Sequence, residues 1–412
     1  MILSNYKLNN YIEVISYKNQ FVLFNKLNGC IILYEQDNIV LRDNEFYVLD
    51  SSKDNYMFLK ENRFFEEDQL IQEEIRKKLN TSLQGNQMIL TISVTEQCNL
   101  RCAYCYQQNW DRKGAIDEQQ NIKNIEAYII QMLQKFTLTE GILTIRFIGG
   151  EPLLKANYII EIKNHIERII DDKFSKIKIF YRIDTNAMLL TPEFISKFSN
   201  LTITTTLTSK RDHDALRSNS YDVVINKLCS LKEFFLNPRY RLCIRYNVNH
   251  QNIDEIENVI EKLNSLELNF LFDVQNIYNS DGANFTNLIT DTEFEILYIE
   301  KIAPILKKYN QPTNILPAYG LSRHCRADNI FNQKIYSNGY FALCDAISKD
   351  RAEAKIKNWL EPLPDICISC FDFPYCGGPK PCVESKCQGI YEKKELMRRK
   401  ICKYVELYYE DE

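Results

Sequence analysis

Residues 88–105 have the sequence MILTISVTEQCNLRCAYC, and they decide the fold prediction. The first half, MILTISVT, is a short apolar run rich in β-branched residues, which predicts a buried strand over 88–95. The second half places a cysteine triad, Cys98, Cys102 and Cys105, directly after that strand. Structural zinc sites are closed by four ligands, whereas a site with three leaves one position open. The stretch therefore predicts a metal centre at a strand end, with one position reserved for another ligand.

The chain continues as an alternation of strand and helix patterns. Five more apolar, β-branched runs follow, over 143–150, 177–185, 201–207, 241–249 and 269–277. Amphipathic stretches with apolar residues three and four positions apart separate these runs, which predicts right-handed βαβ units and a parallel sheet. Six units can form an open doubly wound sheet or a partial barrel, and both place chemistry at the carboxyl ends of the strands.

The chain divides into three predicted parts. Residues 1–86 contain short hairpin strands followed by a helical pattern over 58–79, which predicts a small α+β domain. Residues 87–310 carry the alternating pattern. Residues 311–412 hold eight of the 14 cysteines. Clustered cysteines in a reducing compartment usually bind metal, so this last part is predicted to be a cysteine-rich metal domain.

Composition excludes several classes of function. The chain has 412 residues and a net charge of −4, without the basic cluster that a nucleic-acid surface needs. No apolar run approaches the length of about 18 residues that spans a bilayer, and the N-terminus lacks a signal-peptide pattern. We therefore expect a cytoplasmic protein with neither nucleic acid nor membrane as a partner.

The triad and one further motif resemble the radical S-adenosylmethionine (radical SAM) superfamily. The second motif is GGEP, formed by Gly149, Gly150, Glu151 and Pro152 after the second strand. The resemblance implies a partial (β/α)6 barrel of the TIM type. It also implies that the triad binds three irons of a 4Fe-4S cluster, while the fourth iron binds S-adenosylmethionine. The GGEP glycines would allow close backbone approach, and the Glu carboxylate would receive the methionine ammonium.

The resemblance extends more loosely to other positions near the strand ends. Ala187 stands where the family has the glycine of a Thr-Asn-Gly motif, and Thr208-Ser209 stands where Asp-Gly is usual. These departures affect the loop that faces the substrate more than the cofactor site. The implied cofactor contacts are Tyr104, Thr185, Asn186, Thr206 near the ribose, and Arg217 on the cofactor carboxylate.

The C-terminal cysteines resemble the auxiliary-cluster domain named SPASM, which holds two further 4Fe-4S clusters. The resemblance implies a distal cluster on Cys367, Cys370, Cys376 and Cys402. It implies a proximal cluster on Cys325, Cys344 and Cys382, with Cys387 either a fourth ligand or a bystander. Zinc is the alternative occupant that spacing alone leaves open.

Relatives with this architecture mostly modify peptides. The leading hypothesis is a maturase that removes a hydrogen from the side chain or α-carbon of a ribosomally made precursor peptide and installs a thioether or carbon-carbon crosslink. The N-terminal domain would capture the leader of the precursor by strand addition. A flavodoxin or ferredoxin-type protein would supply electrons.

Two other functions are compatible with the sequence. One is an anaerobic sulfatase-maturating enzyme that generates formylglycine, in which Asp345 would act as a base; Asp345 could equally be a turn residue. The other is a non-catalytic zinc-binding protein. Iron analysis separates the second from the enzymes.

Overall fold

The structure is a computed structural model. It describes residues 4–50, 52–80, 87–105, 107, 117–135, 141–279, 284–320, 332–337, 339, 341–342, 365–378 and 391–410. Among the helices of these ranges, none has the length and apolar character that crossing a membrane requires.

The strands are β1 Ser4–Lys7, β2 Ile12–Tyr17, β3 Gln20–Asn25, β4 Ile31–Glu35, β5 Ile39–Arg42, β6 Glu45–Asp50, β7 Gln87–Thr95, β8 Gly141–Gly149, β9 Ile177–Asp184, β10 Leu201–Thr206, β11 Tyr240–Val248, β12 Leu271–Asn276, β13 Asn332–Ile335 and β14 Phe341–Ala342. The α-helices span Lys53–Glu61, Asp68–Asn80, Glu118–Lys135, Ala156–Lys173, Pro192–Ile195, Lys210–Leu216, Tyr221–Ser230, Lys232–Leu236, Ile256–Ser265, Asp291–Leu297, Ala303–Lys308, Asp365–Ile368, Phe373–Cys376 and Tyr391–Tyr409. Tighter 3-10 turns span Gln36–Asn38, Pro152–Lys155 and Ile253–Glu255, and a π-helical turn spans Tyr298–Ile302.

The main sheet has eight strands in the order β12-β11-β10-β9-β8-β7-β13-β14. Strands β7 to β12 are parallel and follow one another without a reversal of direction across the sheet. In a doubly wound sheet the spatial order of the strands reverses near the middle of the sheet. Ligands bind at that reversal, beside the carboxyl ends of the strands. Sequential order instead places every right-handed crossover on the same side, as in a barrel wall. The prediction of six barrel strands is confirmed.

Alternation along each strand separates the two faces of the wall. In β8, Leu143, Ile145 and Phe147 are buried beneath the helices, while Arg146 points to the opposite face. In β11, Leu242, Ile244, Tyr246 and Val248 are buried in the same way. Successive strand residues point to opposite sides, so the apolar set fixes the register and leaves the polar set facing the barrel interior.

The sheet extends beyond the predicted six strands. Strand β13 pairs in parallel with β7, and β14 pairs with β13 antiparallel. Both strands are too short for a sequence pattern to identify them, and they lie in the predicted C-terminal domain.

The predicted helix over 58–79 is wrong in its continuity. The chain forms two helices, Lys53–Glu61 and Asp68–Asn80. Arg63 between them adopts a left-handed conformation with φ 63°, and Phe64 turns into the core with no exposed surface. A helix through this point would carry Phe64 out of that core, so burial of the ring overrides the local helical pattern.

The N-terminal part packs against C-terminal helices. Strands β2, β3 and β4 form one antiparallel sheet, and β1, β6 and β5 form a second. Val22 and Phe24 of β3 share a buried cluster with Met397, Ile401 and Val405 of helix Tyr391–Tyr409. The two ends of the sequence therefore share a hydrophobic core, while the predicted boundaries at 86 and 310 stay predictions.

Candidate active site

A cavity of about 1040 Å³ opens at the carboxyl ends of β7 to β12. Its walls contain all three cysteines of the triad, so the residues predicted to hold a cluster face one cavity. Seven of the predicted cofactor contacts also line it: Tyr104, Gly149, Gly150, Thr185, Asn186, Thr206 and Arg217. Glu151 and Pro152 do not appear in the cavity wall.

Two backbone hydrogen bonds join the GGEP segment to the residues that lead into the cysteine loop. The N–H of Gly150 donates to Thr95 O at 2.8 Å, and the N–H of Glu151 donates to Gln97 O at 2.8 Å. A Cβ atom at Gly149 would lie 2.2 Å from Thr95 O, and one at Gly150 would lie 2.2 Å from Gln97 O. The close approach that the glycines permit is therefore to the chain that leads into the triad.

Glu151 is fully buried, with an exposed fraction of 0%. Its Oε1 accepts hydrogen bonds from Thr185 Oγ1 at 2.6 Å and from Leu153 N at 3.0 Å, and its Oε2 accepts one from Asn186 N at 2.7 Å. Burial raises the pKa of Glu151, and these three donors oppose the rise. The carboxylate thus ties the loop after β9 to the loop after β8, and its contact with a methionine ammonium stays a prediction.

The loop after β9 in turn supports the cysteine loop. Asn186 Nδ2 donates to Asn99 Oδ1 at 2.7 Å, next to Cys98. Ala187 has a left-handed φ of 65°, at the position where the family has glycine. Its N–H donates to Thr185 Oγ1 at 3.0 Å, so a local turn holds a backbone conformation that costs alanine more than glycine.

Arg217 follows helix Lys210–Leu216 and points back to the triad. It is 6% exposed, and Nη1 donates to the Tyr104 hydroxyl at 3.0 Å. The preceding residue, Leu216, accepts a hydrogen bond from Ala103 N at 2.9 Å. Burial would lower the pKa of Arg217, but Tyr104 and Cys102 outweigh it and raise the pKa. The guanidinium is therefore charged and held against the cysteine loop.

His213 helps to hold the turn after helix Lys210–Leu216, in which Arg217 lies. Burial, followed by the charge of Arg217, lowers the pKa of His213 to about 3, so the ring is neutral. Its Nε2 lies 3.0 Å from Ser220 Oγ, and that hydroxyl donates to Arg217 O at 2.7 Å. Asp214 accepts a hydrogen bond from Tyr221 N at 2.9 Å. The His-Asp pair thus has a structural part in positioning Arg217.

Replacing Arg217 tests its predicted contact with the cofactor. We expect Arg217→Gln to weaken the binding of S-adenosylmethionine to reconstituted protein about tenfold or more, since a charge-assisted pair to a carboxylate is lost. Equilibrium binding of the labelled cofactor under anaerobic conditions measures the change.

Arg211→Gln is the matched control, because Arg211 lies on the helix that precedes Arg217 but pairs with Glu255 at 3.0 Å in an exposed setting. The control is expected to bind like the wild type. Unchanged affinity in Arg217→Gln would assign Arg217 to packing of the loop alone.

The residues of the cavity fit a cluster and its nucleotide cofactor. Arg217 Nε and Thr204 Oγ1 are buried without a hydrogen-bond partner among the described residues, and both belong to residues of the cavity wall. Within those ranges, no three Cys, His, Asp or Glu side chains converge on one point as a single metal ion requires. In a 4Fe-4S cluster each thiolate binds a different iron. The cysteines of the triad therefore need to surround a cluster and do not need to meet at one ion.

The C-terminal cysteines are described only in part. Cys325, Cys344, Asp345, Cys382 and Cys387 lie outside the described residues. Cys367 and Cys370 pack against Tyr11, Ile71 and Phe373 in one buried cluster. Cys402 packs in a different cluster beside Tyr375, and Cys376 ends helix Phe373–Cys376. The two auxiliary clusters stay a prediction.

Sequence reasoning missed the charged residues of the barrel interior. Arg146, Asp184 and Arg245 line the cavity. Each is a charged residue inside or at the end of a predicted apolar strand, at a position that alternates with the buried set. A charge inside a strand of a parallel sheet was the available signal, because such strands are usually apolar on both faces.

Comparison with known proteins identifies the central part of the chain. Residues 92–263 match the family model described as the Radical SAM superfamily. The chain is 27% identical over 307 residues to the radical SAM cyclopropyl synthase TigE of Paramaledivibacter caminithermalis, covering 64% of this chain and 62% of that protein. It is 34% identical over 117 residues to an uncharacterized protein of Methanocaldococcus jannaschii, covering 28% and 35%. The chain thus spans less than two thirds of the length of either relative.

The chain is also similar to a cyclase and to a solved structure. A GTP 3',8-cyclase of Clostridium acetobutylicum is 27% identical over 213 residues, covering 51% of this chain and 55% of that protein. The solved structure of native anSMEcpe with bound AdoMet and Kp18Cys peptide superimposes with a TM-score of 0.55 at 15% identity, covering 78% of this chain and 98% of that one. At this identity the likeness concerns the fold, and it agrees with the partial barrel described above.

Proposed function

We propose that this chain, a radical SAM enzyme by its domain over residues 92–263, modifies a ribosomally made precursor peptide. The product would carry a thioether or carbon-carbon crosslink at a side chain or α-carbon. The single observation that carries the proposal is that the triad and seven of the nine predicted contacts to S-adenosylmethionine line one cavity.

The family implies a 4Fe-4S cluster and S-adenosylmethionine at this cavity. When bound, they supply a 5'-deoxyadenosyl radical, which removes hydrogen from an unactivated C–H bond. The cysteine triad would hold the cluster, Arg217 would pair with the cofactor carboxylate, and Thr206 would lie near the ribose. Glu151 keeps the loops after β8 and β9 in a fixed relation through three hydrogen bonds. The loop around Cys98 therefore has little freedom, as positioning of one substrate hydrogen requires.

One feature of the N-terminal part supports a peptide substrate. Among the described residues, β2 and β4 are the edge strands of the sheet β2-β3-β4, and an edge strand is the kind of element that accepts an added peptide strand by main-chain pairing. Leader capture by residues 1–86, two auxiliary clusters in 311–412, a flavodoxin or ferredoxin-type donor and a cytoplasmic location belong to the same proposal.

The test is anaerobic reconstitution followed by turnover with a reductant and S-adenosylmethionine. The peptides supplied are the products of any small open reading frames that lie beside the gene. We expect 5'-deoxyadenosine and a peptide lighter by two hydrogens, the mass change of one crosslink. Parallel reactions contain GTP, or a Cys-type sulfatase peptide.

The outcomes separate the candidate functions. Deoxyadenosine with an unchanged precursor would contradict the maturase, and conversion of the sulfatase peptide or of GTP would replace it with the corresponding activity. Absence of deoxyadenosine in every reaction, from protein that holds zinc instead of iron, would favour the non-catalytic alternative.

A further inference from the structure

The guanidinium of Arg217 has few partners for a buried charge. The residue is 6% exposed, and its Nη1 donates to the Tyr104 hydroxyl at 3.0 Å. This is the only hydrogen bond of the guanidinium among the residues that the structure describes, and Nε is buried without any partner there. A guanidinium offers several N–H donors, and a buried donor without an acceptor is costly. Arg217 lines the cavity, so its remaining donors are available to a ligand.

The hydrogen bond to Tyr104 decides which donors remain. A guanidinium can meet a carboxylate along the edge formed by Nη1 and Nη2, or along the edge formed by Nε and Nη2. Tyr104 already binds Nη1, which belongs to the first edge. The second edge keeps both of its donors, because neither Nε nor Nη2 has a hydrogen bond to a described residue. The Nε and Nη2 edge of Arg217 is therefore the one that can hold a carboxylate through two parallel hydrogen bonds.

The ring of Tyr104 is held in place by other contacts. Phe285 is buried and packs edge-on against it, with the ring centroids 6.1 Å apart. Two hydrogen bonds fix Phe285, because its N–H donates to Asn279 Oδ1 at 3.0 Å and Asn279 Nδ2 donates to its carbonyl at 2.8 Å. The Tyr104 hydroxyl also has a hydrogen bond with the side chain of Asn247 on β11. The hydroxyl that Arg217 meets therefore has a fixed position in the cavity wall.

The same contact places the guanidinium relative to the cysteine triad. Tyr104 lies between Cys102 and Cys105 in the sequence, and the neighbouring Ala103 N–H donates to Leu216 O at 2.9 Å. One backbone hydrogen bond and one side-chain hydrogen bond thus join the cysteine loop to the turn that carries Arg217. S-Adenosylmethionine has one anionic group, its carboxylate. That carboxylate is the part of the cofactor that suits a charged edge with two parallel donors.

We propose that Tyr104 is a positioning residue, whose hydroxyl holds Nη1 of Arg217 so that the Nε and Nη2 edge meets the carboxylate of S-adenosylmethionine. The inference rests on the proposed function, which supplies the cofactor. Bidentate pairing of this kind fixes the direction of a carboxylate as well as its distance. Tyr104 therefore acts on the amino-acid end of the cofactor through Arg217.

Two roles of Tyr104 make different predictions. A ring that only packs against the cofactor would contribute to binding whether or not Arg217 is present. A hydroxyl that acts through the guanidinium contributes only when the guanidinium is there. The 3.0 Å hydrogen bond and the open edge beside it favour the second role.

A cycle of variants tests the proposal. Equilibrium binding of S-adenosylmethionine is measured anaerobically in the reconstituted full chain with Tyr104→Phe, with Arg217→Gln and with both changes. We expect Tyr104→Phe alone to weaken binding about fivefold, because the guanidinium loses the hydrogen bond that orients it. When Arg217→Gln is already present, the same change should cost nothing further, since the group through which Tyr104 acts is gone. Iron content is recorded for every sample.

Tyr240→Phe is the matched control. It also removes one tyrosine hydroxyl, which donates to Phe198 O at 3.1 Å, but Tyr240 begins β11 and is not among the described residues that line the cavity. It should bind S-adenosylmethionine like the wild type. An equal loss from Tyr104→Phe in both backgrounds, or no loss in either, overturns the proposal. Lower iron content in Tyr104→Phe also overturns it, because the hydroxyl would then support the cysteine loop itself.

Decarboxylated S-adenosylmethionine is a second probe, because it keeps the sulfonium and ammonium groups and lacks the carboxylate. It should bind the wild type and Tyr104→Phe equally, and weaker binding to Tyr104→Phe would contradict a role through the carboxylate. If the wild type binds no S-adenosylmethionine, the proposed function itself fails, whereas the outcomes above remove only the assignment of Tyr104.

Discussion

Cys102→Ala is expected to abolish formation of 5'-deoxyadenosine, lowering the rate by about 10³-fold or more. Cys102 lies between the other two cysteines of the triad and faces the cavity, where Arg217 contributes positive charge to its surroundings. A thiolate that binds its own iron cannot be replaced by a neighbour, so the variant should bind less iron and lose the reactive cluster. Iron content, the visible spectrum of the reconstituted protein and deoxyadenosine yield measure the effect.

Cys229→Ala is the matched control for this change. Cys229 is a partly buried thiol that packs against the barrel core from helix Tyr221–Ser230 and does not line the cavity. Its removal should cost some packing and leave iron content and deoxyadenosine yield near the wild type. A Cys102→Ala protein that still forms deoxyadenosine at the normal rate would remove the triad from the cofactor site.

Gly150→Ala is expected to destabilise the protein by roughly 3 kcal/mol and to reduce iron incorporation with it. The new Cβ would lie 2.2 Å from Gln97 O, 2.5 Å from Gln97 C and 2.8 Å from Glu96 O. These are backbone atoms of the segment that leads into Cys98, so no side-chain rotation relieves the contact. The loop must move, and the cysteines move with it. Thermal unfolding and iron content, measured anaerobically, report the two consequences.

Gly320→Ala separates this steric effect from the ordinary cost of replacing a glycine. Gly320 has φ 101°, and a Cβ there would meet nothing closer than Leu27 O at 3.9 Å. We expect it to cost about 1 kcal/mol of stability through backbone strain, with normal iron content. Equal losses of stability and iron in both variants would show that the close contact of Gly150 with the backbone of Gln97 does not position the triad.

Several parts of the site could be predicted because they depend on neighbours in the chain. The triad follows its strand directly, and GGEP follows the next one, so parallel strand order alone brings both to one edge of the sheet. The predicted contacts at Thr185, Asn186, Thr206 and Arg217 reach the same edge for the same reason. Their assignment as cofactor contacts comes from the resemblance to the family. For Arg217, measuring the binding of S-adenosylmethionine to Arg217→Gln tests it.

The hydrogen bonds that the site residues make could be identified only from the folded structure. The sequence suggested that the carboxylate of Glu151 faces the cofactor, which stays a prediction, and the structure adds that this carboxylate accepts hydrogen bonds from Thr185, Leu153 and the backbone of Asn186. No local pattern indicates the contacts to Thr185 and Asn186, because these two donors lie more than 30 residues further along the chain. The break in the predicted helix over 58–79 has a similar origin, since Phe64 is drawn into a core built by other strands.

The order of the six barrel strands, the edge of the sheet that carries the chemistry and the family resemblance could all be predicted from the amino-acid sequence. Periodicity, strand-end position and motif spacing are properties of neighbouring residues, so they can be read along the chain. In contrast, no sequence pattern predicted that Arg146, Arg182 and Arg245 surround Asp184, with Arg245 at the longest distance of the three. The physical reason is that each charge sits on a different strand, and an electrostatic balance exists only after the sheet brings those strands together.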